Sequence, residues 1–283
     1  MSNLIASVNG NLVKEGEAAI SIMDRGFTLA DGVFETMIAR RNKVINFEKH
    51  FDRLIFGLSV LDINIPEKEI LRSNISDVLD ANSLDLSVIR LTISRGYDYE
   101  RGLTIHDSTP SIIIRVSPHT VSRGNKISLT VSSIRRNEAS FISNVKSLSY
   151  VDSVVAKNQA IKNGFDDALL LNTKGNISCA TSSNVFVVQG DLVITPPAHE
   201  GVLLGVTRSI IMENIDSVGL KMIEQSVKPE IDYFDEVFIT NVVSGVTSVS
   251  SIDGIQIGSG SNEIANKFLS IYNEIILSEE FDI

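Results

Sequence analysis

The sequence contains no tryptophan, one cysteine, six prolines and four histidines in 283 residues. A single cysteine excludes an internal disulfide and, with no export signal, favours a cytoplasmic chain. His50, His106, His119 and His199 stand far apart, without His, Cys, Asp or Glu partners at ligand spacing, so no metal site is expected. No apolar run approaches the ~18–20 residues that span a bilayer. The N-terminus also lacks a basic segment followed by an apolar one, so no membrane contact is expected. Basic residues are scarce too: 25 against 35 acidic ones, a net charge of −10, which argues against a nucleic-acid partner.

What is present suits a globular chain of two domains on a prior of roughly 150 residues each. The hydrophobic share of 43% supplies a sizeable core. "LIASVNGNLV" predicts a hairpin turning at Asn9-Gly10. "FEKHFDRLIFGLSVL" is a helix with Phe47, Phe51, Leu54, Ile55, Leu58 and Leu61 on one face, and Pro66 is expected to open the next helix. "VIRLTIS" and "SIIIRVS" read as strands. After the turn-rich "PHTVSRGNK" come a helix capped by Gly164, the strands "DDALLL" and "NVFVV", and a helix "GVTRSIIMENIDSVG" closed by Gly219. "DEVFITN" and "VTSVSSIDG" are further strands, and an amphipathic helix ends the chain. Strands and helices that do not alternate regularly predict two α+β domains, 1–120 and 121–283, the second carrying Lys146.

Several segments hold chemistry-bearing residues. "GSGSNE" lacks the last glycine of a dinucleotide fingerprint and reads as a loop before the last helix. "SNVK" matches Ser-x-x-Lys, but the companion motifs of that hydrolase class are missing. Lys146 itself lies in "FISNVKSLSY" without an acidic neighbour. From the residues alone it is either a surface lysine or a desolvated amine with a lowered pKa, suited to Schiff-base chemistry. "LLGVTR" runs through Gly205 into a helix start, where free N–H groups favour phosphate, and Thr207 adds a hydroxyl. Arg53 in "HFDRL" is either a solvated helix residue or a phosphate clamp.

In order along the chain, "DRGFTLADGVFETM", "FEKHFDRL", "VKSLSYVDSVVAKNQAIKNGFDDALLLNTKGNIS", "TSSNVFVV", "GVLLGVTR" and "DEVFITN" resemble the blocks of the class IV aminotransferases. These are fold type IV enzymes that use pyridoxal 5'-phosphate. The resemblance implies a D-amino-acid-aminotransferase-like fold of two α+β domains with the cofactor between them, usually in a homodimer. It implies that Lys146 binds the cofactor and shuttles protons, and that Arg53, Val206 and Thr207 hold the phosphate. Leu203 would pack on the ring, with Ser182 in the same shell. Phe34, Thr36, Arg95, Arg101 and Asn241 would meet the substrate.

Cys179, five residues before Asn184, occupies the place where the family carries a glutamate that pairs with the ring nitrogen. A thiol is a weak donor and acceptor. A charge-assisted hydrogen bond contributes about 1.5–3 kcal/mol, so its loss would slow a carbanion-forming step roughly 10- to 100-fold. Three states stay open: a neutral thiol beside an unprotonated nitrogen, a thiolate paired with a pyridinium, or loss of normal cofactor chemistry. "ISRGYDYERGL" and "FITNVVSG" are similar to segments of the family's aminodeoxychorismate lyases. That similarity implies release of pyruvate from 4-amino-4-deoxychorismate to give 4-aminobenzoate, a step of folate biosynthesis. The alternatives are an aminotransferase for a D- or branched-chain amino acid, and an impaired homologue that binds or regulates.

Overall fold

A computed structural model describes residues 3–100, 102–106, 108–122 and 124–278. The chain forms two compact units. One takes in the chain up to Thr120 together with Val145–Ser149, and the other takes Val121–Asn144 and Tyr150–Leu277. The Lys146 segment, expected in the C-terminal domain, therefore clusters with the first unit. Backbone pairing is the reason. Phe34 N–H donates to Lys146 O and Leu148 N–H to Gly32 O, each at 2.9 Å, and Val33 bridges Ser147.

The first unit contains β1 (Ile5–Val8), β2 (Asn11–Lys14), α1 (Arg25–Leu29), β3 (Gly32–Arg40), β4 (Lys43–Val44), α2 (Phe47–Val60), α3 (Lys68–Asn82), β5 (Leu86–Ser94) and β6 (Ser111–Pro118). Among the described residues its sheet runs β2-β1-β6-β5-β3-β4, with the paired neighbours antiparallel. Asn9 (φ 52°) and Gly10 (φ 80°) make the expected hairpin turn. The apolar face of α2 buries Leu54 and Leu58, and α3 buries Leu71, Ile75, Val78 and Leu79. Pro66 does not open α3. Glu67 is extended as the N-cap and the helix starts at Lys68, so the proline belongs to the preceding loop.

The second unit contains β7 (Lys126–Val131), α4 (Val151–Lys162), β8 (Asp167–Leu171), β9 (Ile177–Ala180), β10 (Asn184–Gln189), β11 (Leu192–Thr195), α5 (Val206–Glu213), β12 (Lys221–Glu224), β13 (Glu236–Asn241), β14 (Gly245–Ile252), β15 (Ile255–Gln256) and α6 (Glu263–Leu277). Its sheet runs β12-β11-β10-β13-β14-β7-β8-β9, with β15 on β14. Both faces carry core, and β10 shows how. Val185 and Val187 join one apolar cluster, while Phe186 and Val188 join the other, as the two-residue strand period requires. Phe186 stacks on Phe238 with ring centroids 4.9 Å apart. The helix expected to run to Gly219 stops at Glu213. The Asn214 side chain donates to Ile210 O and competes with the helical ladder, so a 3-10 turn, Ile215–Val218, leads to Gly219.

Candidate active site

Glu35 is the lone acid of strand β3, and it is 1% exposed. A carboxylate there is costly unless paired. The partners come from α2, where His50 and Arg53 stand three residues apart on one face. Arg53 Nε and Nη2 donate to Glu35 Oε1 and Oε2, each at 2.7 Å, and His50 Nδ1 lies 2.8 Å from Oε2. Burial works against the Glu35 charge, but Arg53 and His50 overcome it and hold the carboxyl at about 2. Burial also pushes the His50 pKa down against the pull of Glu35, so the imidazole is neutral near pH 7 and donates from Nδ1.

Strand alternation sends Phe34 and Thr36 to the opposite face of β3. Lys146 Nζ stands 4.3 Å from the Phe34 ring centroid, and Arg90 Cζ lies 3.3 Å from the same centroid. Arg90 faces Thr36 in the β3–β5 register. Burial first, then the Arg53 and Arg90 cations, pushes the Lys146 amine down to about 7 against the attraction of Glu35. A large share of the amine is therefore unprotonated near neutral pH, and the surface-lysine reading falls. Phe34, Arg53 and Lys146, expected from the sequence, come together here. Glu35, His50 and Arg90 complete the cluster, and sequence reasoning missed them. The signals were a lone acid inside a strand and a histidine three residues before the singled-out arginine.

Arg95 is placed differently. It is 5% exposed, and its guanidinium donates to Asp31 (2.7 and 3.1 Å), to Asp62 O (2.7 Å) and to Leu61 O (2.6 Å). Asp31 also accepts from Arg25 Nε at 3.0 Å. Arg95 is thus tied into the scaffold. Arg101 lies outside the described residues.

In the second unit, Val206 and Thr207 open α5, and Gly205 is the N-cap without a side-chain cap bond. Gly205 packs so closely on Asn184 that a Cβ would run into Asn184 Oδ1. Asn184 Nδ2 in turn donates to Leu203 O at 2.8 Å. The Thr240 hydroxyl is buried with no hydrogen-bond partner among the described residues, and the Thr207 hydroxyl is buried beside the Tyr272 hydroxyl without a well-formed hydrogen bond. Thr240 sits opposite Asn184 on β13. A helix start whose first N–H groups lack intrahelical acceptors, together with these two buried hydroxyls, fits an anion such as a phosphate ester. Leu203 is half-buried in the loop before α5, and Ser182 is exposed in the turn before β10. Asn241 shapes the β13–β14 turn: Nδ2 donates to Ser183 Oγ at 2.9 Å, and Oδ1 accepts from the N–H groups of Val243 and Ser244.

Cys179 lies on β9 opposite Leu170 of β8, against an apolar cluster containing Ala156, Ala160 and Ala168. Burial pushes its thiol up, outweighing the nearby Arg136 cation, so the thiolate state has no support here. Among the described residues no group of three or more His, Cys, Asp or Glu could hold a metal ion, and no helix is long and apolar enough to cross a membrane.

Each unit thus carries a feature of its own, a near-neutral lysine in the first and an anion cradle in the second, and comparison with known proteins adds a separate line. The family model for amino-transferase class IV matches residues 32–252, and the chain belongs to that family of pyridoxal-phosphate-dependent enzymes. A Methanocaldococcus jannaschii protein, provisionally named a branched-chain-amino-acid aminotransferase, is 32% identical over 275 residues, covering 93% of this chain and 95% of its own. A D-alanine aminotransferase of Bacillus licheniformis is 30% identical over 260 residues, covering 89% and 90%. A solved structure from Legionella pneumophila, provisionally assigned as a 4-amino-4-deoxychorismate lyase, superimposes with a TM-score of 0.86 at 25% identity, covering 92% and 97%.

Proposed function

We propose that the protein is an aminotransferase that passes an amino group between a small amino acid and a 2-oxo acid. The observation that carries this reading is Lys146, an amine held near neutrality over Phe34 with Arg90 on the same ring. Bound pyridoxal phosphate supplies the electron sink for such a transfer. Lys146 Nζ would hold the cofactor and would carry the proton to and from the substrate carbon. Glu35 and His50 hold Arg53 in place. Arg53 and Arg90 keep the Lys146 amine ready to react. The N–H groups from Gly205 to Thr207, with the Thr207 and Thr240 hydroxyls, take the phosphate. Leu203, Ser182 and Cys179 belong to the cofactor shell, with Cys179 as a neutral thiol.

The substrate carboxylate is assigned to Arg90 by its position, opposite Thr36 and against the Phe34 ring beside Lys146, while Arg95 is held by Asp31 and two carbonyls. Phe34 and Thr36 share one face of β3. This weakens the lyase reading, which leaned on Arg95 and Arg101. The likeness to the Legionella protein keeps the lyase as the second reading. The decisive assay offers the protein, loaded with pyridoxal phosphate, a panel of D- and L-amino acids with a 2-oxo acid acceptor, and separately 4-amino-4-deoxychorismate. Amino transfer without pyruvate release supports the aminotransferase; pyruvate release without amino transfer supports the lyase. Borohydride reduction and peptide mapping should place the label on Lys146.

A homodimer is part of this proposal. Ile22, Phe27, Tyr99 and Leu103 are exposed in the first unit, and Val151, Val154 and Ile161 are exposed along α4 in the second. Apolar patches of this kind mark association surfaces. Light scattering on the purified protein should give twice the chain mass.

A further inference from the structure

Glu200 is a buried carboxylate that none of the roles above uses. It is 2% exposed and ends the 3-10 turn Ala198–Glu200. Its oxygens accept from the side-chain amides of Asn172 and Asn176 and from the Ser226 hydroxyl, with the Asn176 contacts at 3.0 and 3.1 Å. Burial opposes the charge, but Ser226, Asn176 and Asn172 outweigh it and hold the carboxyl below its ordinary value. An ionised carboxylate only accepts, and here it meets only donors.

What Glu200 joins gives it a purpose. Asn172 and Asn176 form the turn between β8 and β9, the strand that carries Cys179. Glu200 itself begins the loop that ends at Gly205, the N-cap of α5. That loop is gripped along its length. Asn144 Nδ2 donates to Ala198 O and Val202 O, Arg136 Nε to Gly201 O, and Asn184 Nδ2 to Leu203 O. Gly201 is left-handed at φ +80°, and a Cβ there would press on Glu138 and Arg136. Among these clamps Glu200 is the carboxylate, and it ties the loop to the β8–β9 turn. A displacement at Glu200 has little slack to dissipate before it reaches the helix start.

We propose that Glu200 is a positioning residue: it staples the β8–β9 turn to the 201–205 loop and so sets the α5 N-terminus for the phosphate of the cofactor. The proposal rests on reading Gly205–Thr207 as the anion cradle. Glu200→Gln keeps the size but turns an NH2 toward donors. The swap Glu200→Gln with Asn172→Asp restores complementarity, because the new amide then faces a carboxylate. That carboxylate still accepts from the N–H groups of Lys174 and Asn176, as Asn172 Oδ1 does now.

The test measures binding of inorganic phosphate by 31P NMR, and of pyridoxal phosphate by near-ultraviolet absorbance, to the cofactor-free full chain. Glu200→Gln should weaken both about tenfold, which is about 1.4 kcal/mol, and the swap should recover most of the loss. A Glu200→Gln protein that melts earlier yet binds both probes within twofold of wild type overturns the proposal, since a merely structural residue would behave that way. Ser226→Ala removes one donor and serves if Glu200→Gln does not fold. It should weaken binding about threefold, and unchanged binding overturns the proposal. Wild-type protein that binds neither probe overturns the cradle reading as well, a result distinct from equal binding by wild type and variant.

Discussion

Around β3 the first unit buries the Glu35–Arg53 ion pair beside a neutral His50, while the second unit places uncharged groups at the start of α5, the hydroxyls of Thr207 and Thr240 and the amide of Asn184, and ties Glu200 and Arg208 into pairings of their own. The contrast shows two ways of burying polar groups. In the first unit burial, aided by the Arg53 and Arg90 cations and opposed by Glu35, tunes proton affinity and pushes the Lys146 amine down to about 7. Buried hydroxyls beside a helix start tune nothing, but they leave hydrogen-bonding capacity open to an anion. The first unit should therefore respond to mutation through charge and pH, and the second through binding.

The largest effect expected is at Lys146. Lys146→Met should lower amino transfer roughly 10⁴-fold, because both cofactor attachment and the proton carrier are lost. The same variant should stabilise the cofactor-free protein at pH 6 by about 1–2 kcal/mol, since the native environment disfavours the protonated amine. That gain should fade as pH rises from about 7 toward 10.5, where the unfolded chain also gives up its proton. Urea titrations at several pH values check it, and a gain that grows with pH would contradict the charge-tuned picture.

Arg53→Ala comes next. It leaves Glu35 buried without its main cation, and breaking such a pair costs about 3–5 kcal/mol. A shift below about 1 kcal/mol would instead favour the solvated-helix alternative for Arg53. Glu35 also sets the acid limb. Its depressed pKa contributes stability that is whole above the ordinary carboxylate value of 4.5 and is lost as pH falls toward about 2. In Arg53→Ala the acid unfolding midpoint should move up.

Arg90→Ala should raise the amino-donor KM about 10- to 100-fold, the loss of one charge-assisted contact of about 1.5–3 kcal/mol. The matching change Arg95→Ala should act mainly on stability, because that guanidinium is tied to Asp31. The reverse pattern would return the carboxylate role to Arg95. The smallest effect is expected in the second unit. Cys179→Glu places an anion near Arg136 and should speed single-turnover amino transfer by about tenfold, less any overpacking cost. If the nitrogen of the bound cofactor is already protonated in wild type by 15N NMR, the neutral-thiol reading is wrong.

Much of this was legible in the residues. Asn9-Gly10 and Asp253-Gly254 mark their turns because the positive φ they adopt favours such pairs. Residue type and spacing raised Arg53, Lys146 and the Gly205–Thr207 helix start as candidates and left each open, while the order of blocks pointed to the family and, through it, to their roles. Two local signals misled. Pro66 precedes an N-cap rather than opening α3, and Asn214 interrupts a pattern that reads as continuous helix to Gly219.

Sequence by itself determined the class of protein, because the family's blocks occur in order along the chain, and that resemblance is what pointed to Lys146 and the α5 start. Only the tertiary structure decided what each arginine meets. Arg90 and Arg95 sit five residues apart on or beside β5. One stacks on Phe34 and the other is claimed by Asp31 and the carbonyls of Leu61 and Asp62. Those partners come from distant segments, as do the Asn172, Asn176 and Ser226 donors around Glu200. A guanidinium or a carboxylate looks the same in any sequence. Its charge, its free donors and its pKa are set by what the fold packs against it.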